Sequence, residues 1–177
     1  MITGKHSYIR GTEYDDVAAL SVLYLPGSLR AGLLDARREP VLPSQEDLQE
    51  LLGRKEIADG AFYTVEDLGG EVRGFCSLRG MNPEARYCEF SLLLLDTEAY
   101  AGPLADEAAQ IMLERAFIRL GLRKVVAYGL CHESEWAALL TRHGFVSAGI
   151  QREVLYARGQ WHDLETYSRS AEPLALT

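Results

Sequence analysis

The sequence lacks what a membrane-spanning or disulfide-built protein needs. No window of its 177 residues approaches the roughly 18 continuous apolar residues of a membrane helix, and MITGKHSYIR carries no apolar targeting segment. A cytoplasmic protein without membrane contact is expected. Cysteines number three, Cys76, Cys88 and Cys131. They stand singly, without CxxC or metal-ligand spacing, and are expected as buried reduced thiols. Positive charge is also in deficit, with 18 Lys and Arg against 26 Asp and Glu, a net charge of −8. Such a balance repels polyanions at long range, so nucleic acid is not an expected partner, whereas an acidic cleft attracts a cationic amine. There is no internal repeat, low-complexity run or linker. One domain over residues 1–177 is expected, with the tail from 170 to 177 fraying.

What is present reads as alternating strands and helices. HSYIRG suits a short strand, and Thr12 opens TEYDDVAALSVLYL, a helix pattern with acids in its first turn. PGSLRAGLLDARREPVLP, with three prolines, is a loop or a broken helix. Ser44 opens SQEDLQELLGRKEIAD as a helix, with an acidic residue three places on in the manner of a capping box. AFYTVED and EVRGFCSLRG are strands turned at LGG, and ARYCEFSLLLLD is a strand that becomes buried on both faces. Its alternation puts Tyr87, Glu89 and Ser91 on one face and Cys88, Phe90 and Leu92 on the other.

After YAGPLADEA, apolar residues from Ala109 to Leu120 keep helical spacing, and Gly121 suits the position after the helix end. KVVAYGL is a strand, ESEWAALLTRHG a short helix, and the rest two strands turned at Arg158 and Gly159. A helix from Pro103 to Leu120 thus crosses between neighbouring parallel strands, and a ligand is expected beyond the carboxyl end of the strand that feeds it. Pro103 followed by acids is also an ordinary helix start.

Four pieces, in order and over about Ser7 to Arg169, resemble the GNAT superfamily of N-acetyltransferases, in the branch similar to the ribosomal-protein alanine acetyltransferases. They are GEVRGFCSLRG; ARYCEFSLLLLD with its loop and DEAAQIMLERAFIRLGLRKV; RHGF; and YARGQWHDLETYSR. The resemblance implies a single-domain α/β (α+β) fold: a mixed, mostly antiparallel sheet with a central parallel pair splayed into a cofactor cleft, flanked by helices. It implies an N-acyltransferase that moves acetyl from acetyl-CoA, without a metal, to a primary amine of a small molecule or protein N-terminus in a ternary complex. A homodimer through the C-terminal strands is compatible with it.

On that resemblance the backbone of Leu93, Leu94 and Leu95 pairs with the pantetheine arm. The loop of Ala101, Gly102, Leu104, Ala105 and Asp106 holds the pyrophosphate at a helix N-terminus, where unpaired N–H groups and the helix dipole favour an anion. Glu133 takes the place of the family's asparagine. Pro103, Glu133 and Leu140, the last where the family has tyrosine, depart from the pattern. A GNAT-fold binding module without catalysis is therefore the alternative. Glu89, on the cleft strand, is the candidate general base. Arg30, with Arg37 and Arg38 on the early loop, Tyr87 and Trp161 are the candidate acceptor contacts. Trp136 reads as core, and His132 and His143 as residues flanking a helix.

Overall fold

The computed structural model describes residues 1–24, 44–52 and 61–171. They form an eight-stranded sheet: β1 (Ile2–Thr3), β2 (Tyr8–Gly11), β3 (Ala61–Glu66), β4 (Val72–Asn82), β5 (Tyr87–Leu94), β6 (Lys124–Leu130), β7 (Val146–Ala157) and β8 (Gln160–Ser170). Their spatial order is β1-β2-β3-β4-β5-β6-β8-β7. Every neighbouring pair is antiparallel except β5 and β6. The α-helices among the described residues are α1 (Asp16–Leu20), α2 (Gln45–Leu52), α3 (Pro103–Glu114) and α4 (Ser134–Arg142).

Local chemistry accounts for most boundaries. Ser44 and Asp47 cap α2 reciprocally, the Asp47 N–H donating to Ser44 Oγ at 3.1 Å and the Ser44 N–H to Asp47 Oδ2 at 2.9 Å. The β7–β8 turn holds Arg158 at φ 53° and Gly159 at φ 78°, the positive pair that a two-residue hairpin needs. Helix α1 starts later than its pattern suggests. The Asp16 carboxylate turns back to accept the Glu13 N–H at 2.8 Å, and a 3₁₀ turn over Ser21–Tyr24 follows after only five α-helical residues. Helix α3 also stops short of Leu120. It gives way at Arg115–Arg119 to a π-turn in which Leu120 N–H bonds the Arg115 carbonyl at 2.9 Å, and Gly121 at φ 61° ends it, with Leu122 N–H closing back on the Ala116 carbonyl at 2.9 Å.

The two faces of β5 divide the core. Cys88, Phe90, Leu92 and Leu94 pack with α3 residues Ala105, Ala108, Ala109 and Met112 and with α4 residues Trp136, Leu139 and Leu140. Leu93 and Phe75 pack on the opposite face with Val17, Leu20, Leu23 and Tyr24. Burial pushes the Cys88 thiol up to about 12, and Cys76 is also buried. Cys131, expected to be buried, is exposed because it follows the last residue of β6 in a turn.

Candidate active site

The parallel ladder between β5 and β6 runs only through Tyr87↔Lys124, Cys88↔Val125 and Glu89↔Val126. Beyond Glu89 the strands separate into a V. The edges facing that opening follow from alternation. Leu95 N–H bonds the Arg73 carbonyl on β4, so Leu94 N–H and the Leu92 carbonyl point the other way, into the V. Cys131 N–H bonds the Asp163 carbonyl on the β8 side, so Leu130 N–H and the Tyr128 carbonyl face the V from β6.

All four of these groups have partners from this chain. The Tyr100 hydroxyl donates to the Leu92 carbonyl at 2.9 Å and accepts from Leu94 N–H at 3.1 Å. Trp136 Nε1 donates to the Tyr128 carbonyl at 2.9 Å, and Leu130 N–H donates to Glu133 Oε2 at 2.7 Å. The Trp136 ring lies 5.9 Å from Phe90 and 5.7 Å from Tyr100, centroid to centroid, and is 2% exposed. Gly129 makes room for it, since a Cβ there would stand 2.7 Å from Trp136 Cδ1. The interior of the V is therefore protein. A cavity of about 1080 Å³ lies instead at the other end of the parallel pair, lined by Arg86, Phe117, Leu122, Arg123 and Arg169 among others.

At the N-terminus of α3, Gly102 is extended (φ −93°, ψ 167°) and its N–H bonds the Ala99 carbonyl at 3.0 Å. Pro103 contributes no N–H, and Asp106 N–H returns to the Gly102 carbonyl at 3.3 Å. Ala101 is exposed, Leu104 half-buried and Ala105 buried in the core. The Asp106 carboxylate meets Arg142 Nε and His143 Nε2, each at 3.1 Å, so its charge is balanced from the C-terminal end of α4. Glu107 turns outward and accepts from Lys5 N–H, His6 N–H and Ser7 Oγ, pinning the β1–β2 turn to this helix.

Burial pushes the His143 imidazole below the ordinary histidine pKa, although Asp106 pulls the other way. A depressed histidine pKa means that the unfolded chain takes the proton more readily. His143 therefore contributes stability that is complete above about pH 6.5 and is lost on acidification. Urea unfolding at pH 7.5 and 5.5 should show a smaller loss for His143→Gln than for the natural chain; equal losses would remove His143 as a cause.

The candidate base sits on the other face of the sheet. Glu89 Oε1 accepts from Arg79 Nη2 at 2.5 Å, and both side chains are 22% exposed. Arg79 and Glu89 are direct cross-strand partners. Tyr87 lies on the same face and bonds Tyr128; burial first, then Tyr128 and the Glu89 charge, raise its pKa. Glu89, Arg79, Tyr87 and Tyr128 thus form a half-buried polar group at the apex of the V, where β5 and β6 part. Trp161 is not part of it: it is 57% exposed on the β7–β8 hairpin, edge-on to Tyr156 at 5.2 Å. Leu93 faces α1, while Leu95 N–H is spent on β4. Arg30, Arg37 and Arg38 lie outside the described residues.

Sequence reasoning did not give Tyr100, Trp136 or Arg142 a part in the site. Its only usable signal was Trp136, a large ring three residues after Glu133 on the helix beside the cleft.

Residues 9–146 match the family model of the acetyltransferase (GNAT) domain. The chain belongs to the GNAT family of acetyltransferases. By class it is an N-acetyltransferase, and the acetyl donor of this family is acetyl-CoA. No curated protein matches it significantly. Among solved structures, it is similar to the spermidine N-acetyltransferase from Vibrio cholerae in complex with CoA and spermine. The TM-score is 0.81 at 20% identity, over 94% of this chain and 96% of that one. It is also similar to a structure described as a probable acetyltransferase, with a TM-score of 0.77 at 22% identity over 94% of each chain. At these identities the likeness establishes the fold. The splayed parallel pair and flanking helices expected from the sequence are those of that fold.

The donor does not fit the V in the described conformation. An acyl-CoA arm laid along β5 needs Leu94 N–H and the Leu92 carbonyl, and Tyr100 holds both. Among the described residues there is no cluster of His, Cys, Asp and Glu that could hold a metal ion. No helix among them is long and apolar enough to cross a membrane.

Proposed function

We propose that this protein acetylates a primary amine on a small molecule, and that the acceptor binds beside Glu89. The supporting observation is the half-buried Glu89–Arg79 pair, with Tyr87 and Tyr128, at the point where β5 and β6 part. A carboxylate there attracts an ammonium group, in keeping with a net charge of −8, and the bond from Arg79 orients that carboxylate. Glu89, directly or through a water, takes the proton the amine must lose. Polyamines are the first acceptor class to examine, because the Vibrio cholerae neighbour is a spermidine N-acetyltransferase.

The test is release of CoA thiol from acetyl-CoA against spermidine, spermine, free amino acids and short peptides with free N-termini. At least one small amine should support turnover, and Glu89→Gln should lower kcat about 100-fold, at the modest end of general-base effects. Unchanged turnover across the pH range would remove Glu89 from the chemistry. Turnover only with peptides would move the acceptor to a protein N-terminus. The filled V favours a second reading, a GNAT-fold protein that binds an amine without transferring acetyl to it. Amine binding without thiol release would select that reading.

A further inference from the structure

We infer that Tyr100 closes the donor opening from within, and that an acyl-CoA chain reaches the edge of β5 only by displacing it. The inference rests on the acetyltransferase reading for the identity of the ligand, but the closure itself rests on geometry. A strand edge presents alternating N–H and C=O groups that another strand, or an amide-bearing ligand, would pair. Here one hydroxyl does both halves of that pairing, as donor to the Leu92 carbonyl and acceptor from Leu94 N–H, with Tyr100 3% exposed. Across the V, Trp136 and Glu133 do the same for Tyr128 and Leu130. Glu133 N–H also takes the Leu130 carbonyl at 2.9 Å. Buried backbone groups need partners, and these side chains satisfy them in the absence of a ligand.

The segment that carries Tyr100 is suited to move. It is a 3₁₀ turn over Glu98–Ala101, whose N–H bonds from Ala99 to the Asp96 carbonyl and from Tyr100 to the Thr97 carbonyl are long, at 3.3 and 3.4 Å. It meets α4 through Arg142 Nη2, which donates to the Tyr100 carbonyl at 3.0 Å, and through the Trp136 ring, 5.7 Å from the Tyr100 ring. Swinging this turn outward frees the β5 edge without breaking a ladder of the sheet. The Trp136 ring, packed edge-on to Tyr100, then loses its neighbour. Apparent donor affinity is reduced by the small fraction of open molecules, and weakening the closed form recovers it.

Two readouts test this. In Tyr100→Phe the ring stays but both hydrogen bonds go, so amide exchange at Leu94 should accelerate at least 10-fold. Leu93, whose N–H faces Phe75 on β4, should keep its protection. General loosening would accelerate both. Acetyl-CoA is the binding probe: Tyr100→Ala should bind it at least 10-fold more tightly than the natural chain by calorimetry. Should that variant not fold, Tyr100→Phe takes its place. In a Trp161→Phe background Trp136 is the remaining tryptophan, and saturating acetyl-CoA should shift its emission to the red as the indole leaves its buried site. The inference is overturned if Leu94 exchange is unchanged, or if the natural chain binds acetyl-CoA as tightly as the variants with Trp136 emission unmoved. Failure of the acetyltransferase reading looks different. Leu94 exchange then accelerates while no variant binds acetyl-CoA, which leaves the closure standing and removes the donor.

Discussion

Gly74→Ala is expected to yield little folded protein, with a loss above about 4 kcal/mol, the range reserved for a core position that has no room to relax. A Cβ at Gly74 would lie 2.0 Å from the Leu93 carbonyl oxygen and 2.9 Å from the Leu94 Cα. Both are backbone atoms of the neighbouring strand, so no rotamer change relieves the clash, and alanine is already the smallest side chain available. The position adjoins a bulge: Val65 pairs with Gly74 and Glu66 with Val72, leaving Arg73 extra, and the Arg73 carbonyl holds Leu95 N–H at 2.8 Å. The close approach of β4 to β5 there is what aims the end of β5 into the V.

Gly80→Ala is the comparison. Gly80 has φ 56° but nothing within 4 Å of its would-be Cβ, so only backbone strain of about 1–2 kcal/mol is expected. Soluble yield and urea midpoints of the two variants decide the matter. A Gly74→Ala chain that folds within about 1 kcal/mol of the natural one would show that β4 and β5 are not packed this closely.

The parts of this structure that could be read from sequence are those fixed by neighbours a few residues apart. The bounds of β6 from Lys124 to Leu130, the Ser44–Asp47 cap and the Arg158–Gly159 turn depend on local spacing and on backbone angles that only certain residues adopt. The inward and outward faces of β5 follow from its period of two, so Glu89 could be placed beside the opening, on the face of Tyr87. The site's actual state depends on side chains that meet only after folding. Asp106 finds Arg142 and His143 at the end of α4, and Glu107 finds the turn before β2, about a hundred residues away along the chain. Tyr100 stood in plain view in YAGPLADEA, yet nothing in its neighbours says that its hydroxyl reaches back to Leu92 and Leu94. Pro103, three residues on, is the departure from the family's anion-binding loop that the sequence itself shows. The structure adds that tyrosine and a tryptophan fill the groove itself, a matter of side-chain volume in three dimensions rather than of spacing.

Asp16→Ala should cost about 3–5 kcal/mol at neutral pH, the loss expected when one partner is removed from a buried charged pair. The Asp16 side chain is 4% exposed and accepts four bonds: Arg10 Nη1 and Nη2 at 2.7 Å each, Thr64 Oγ1 at 2.8 Å and Glu13 N–H at 2.8 Å. Its deletion leaves Arg10 to Glu66 and the Gly11 carbonyl, leaves the Thr64 hydroxyl only its 3.2 Å contact with Thr12 Oγ1, and strips the Glu13 N–H of its side-chain acceptor. Burial by itself would raise the Asp16 carboxyl, but the bonds from Arg10, Glu13 and Thr64 outweigh it and hold its pKa below the usual carboxylate value. A depressed carboxylate pKa contributes stability that is present above about pH 3.8 and fades as the pH falls through the folded value, because the unfolded chain is the first to take the proton. The penalty of Asp16→Ala should therefore be largest near neutrality and narrow in acid. At neutral pH it should appear as a fall in melting temperature of roughly 10 °C for a chain of this length. Asp16→Asn, which keeps one acceptor and the shape but not the charge, should fall between. Because Arg10 on β2, Thr64 on β3 and Asp16 on α1 are joined by this one carboxylate, the change also loosens α1 over the sheet face that carries Glu89. Amine acetylation should consequently weaken before global unfolding as temperature rises. A melting temperature within 2 °C of the natural chain, by the same scale, would mean that the sheet and Val17, Leu20 and Tyr24 hold α1 in place without Asp16.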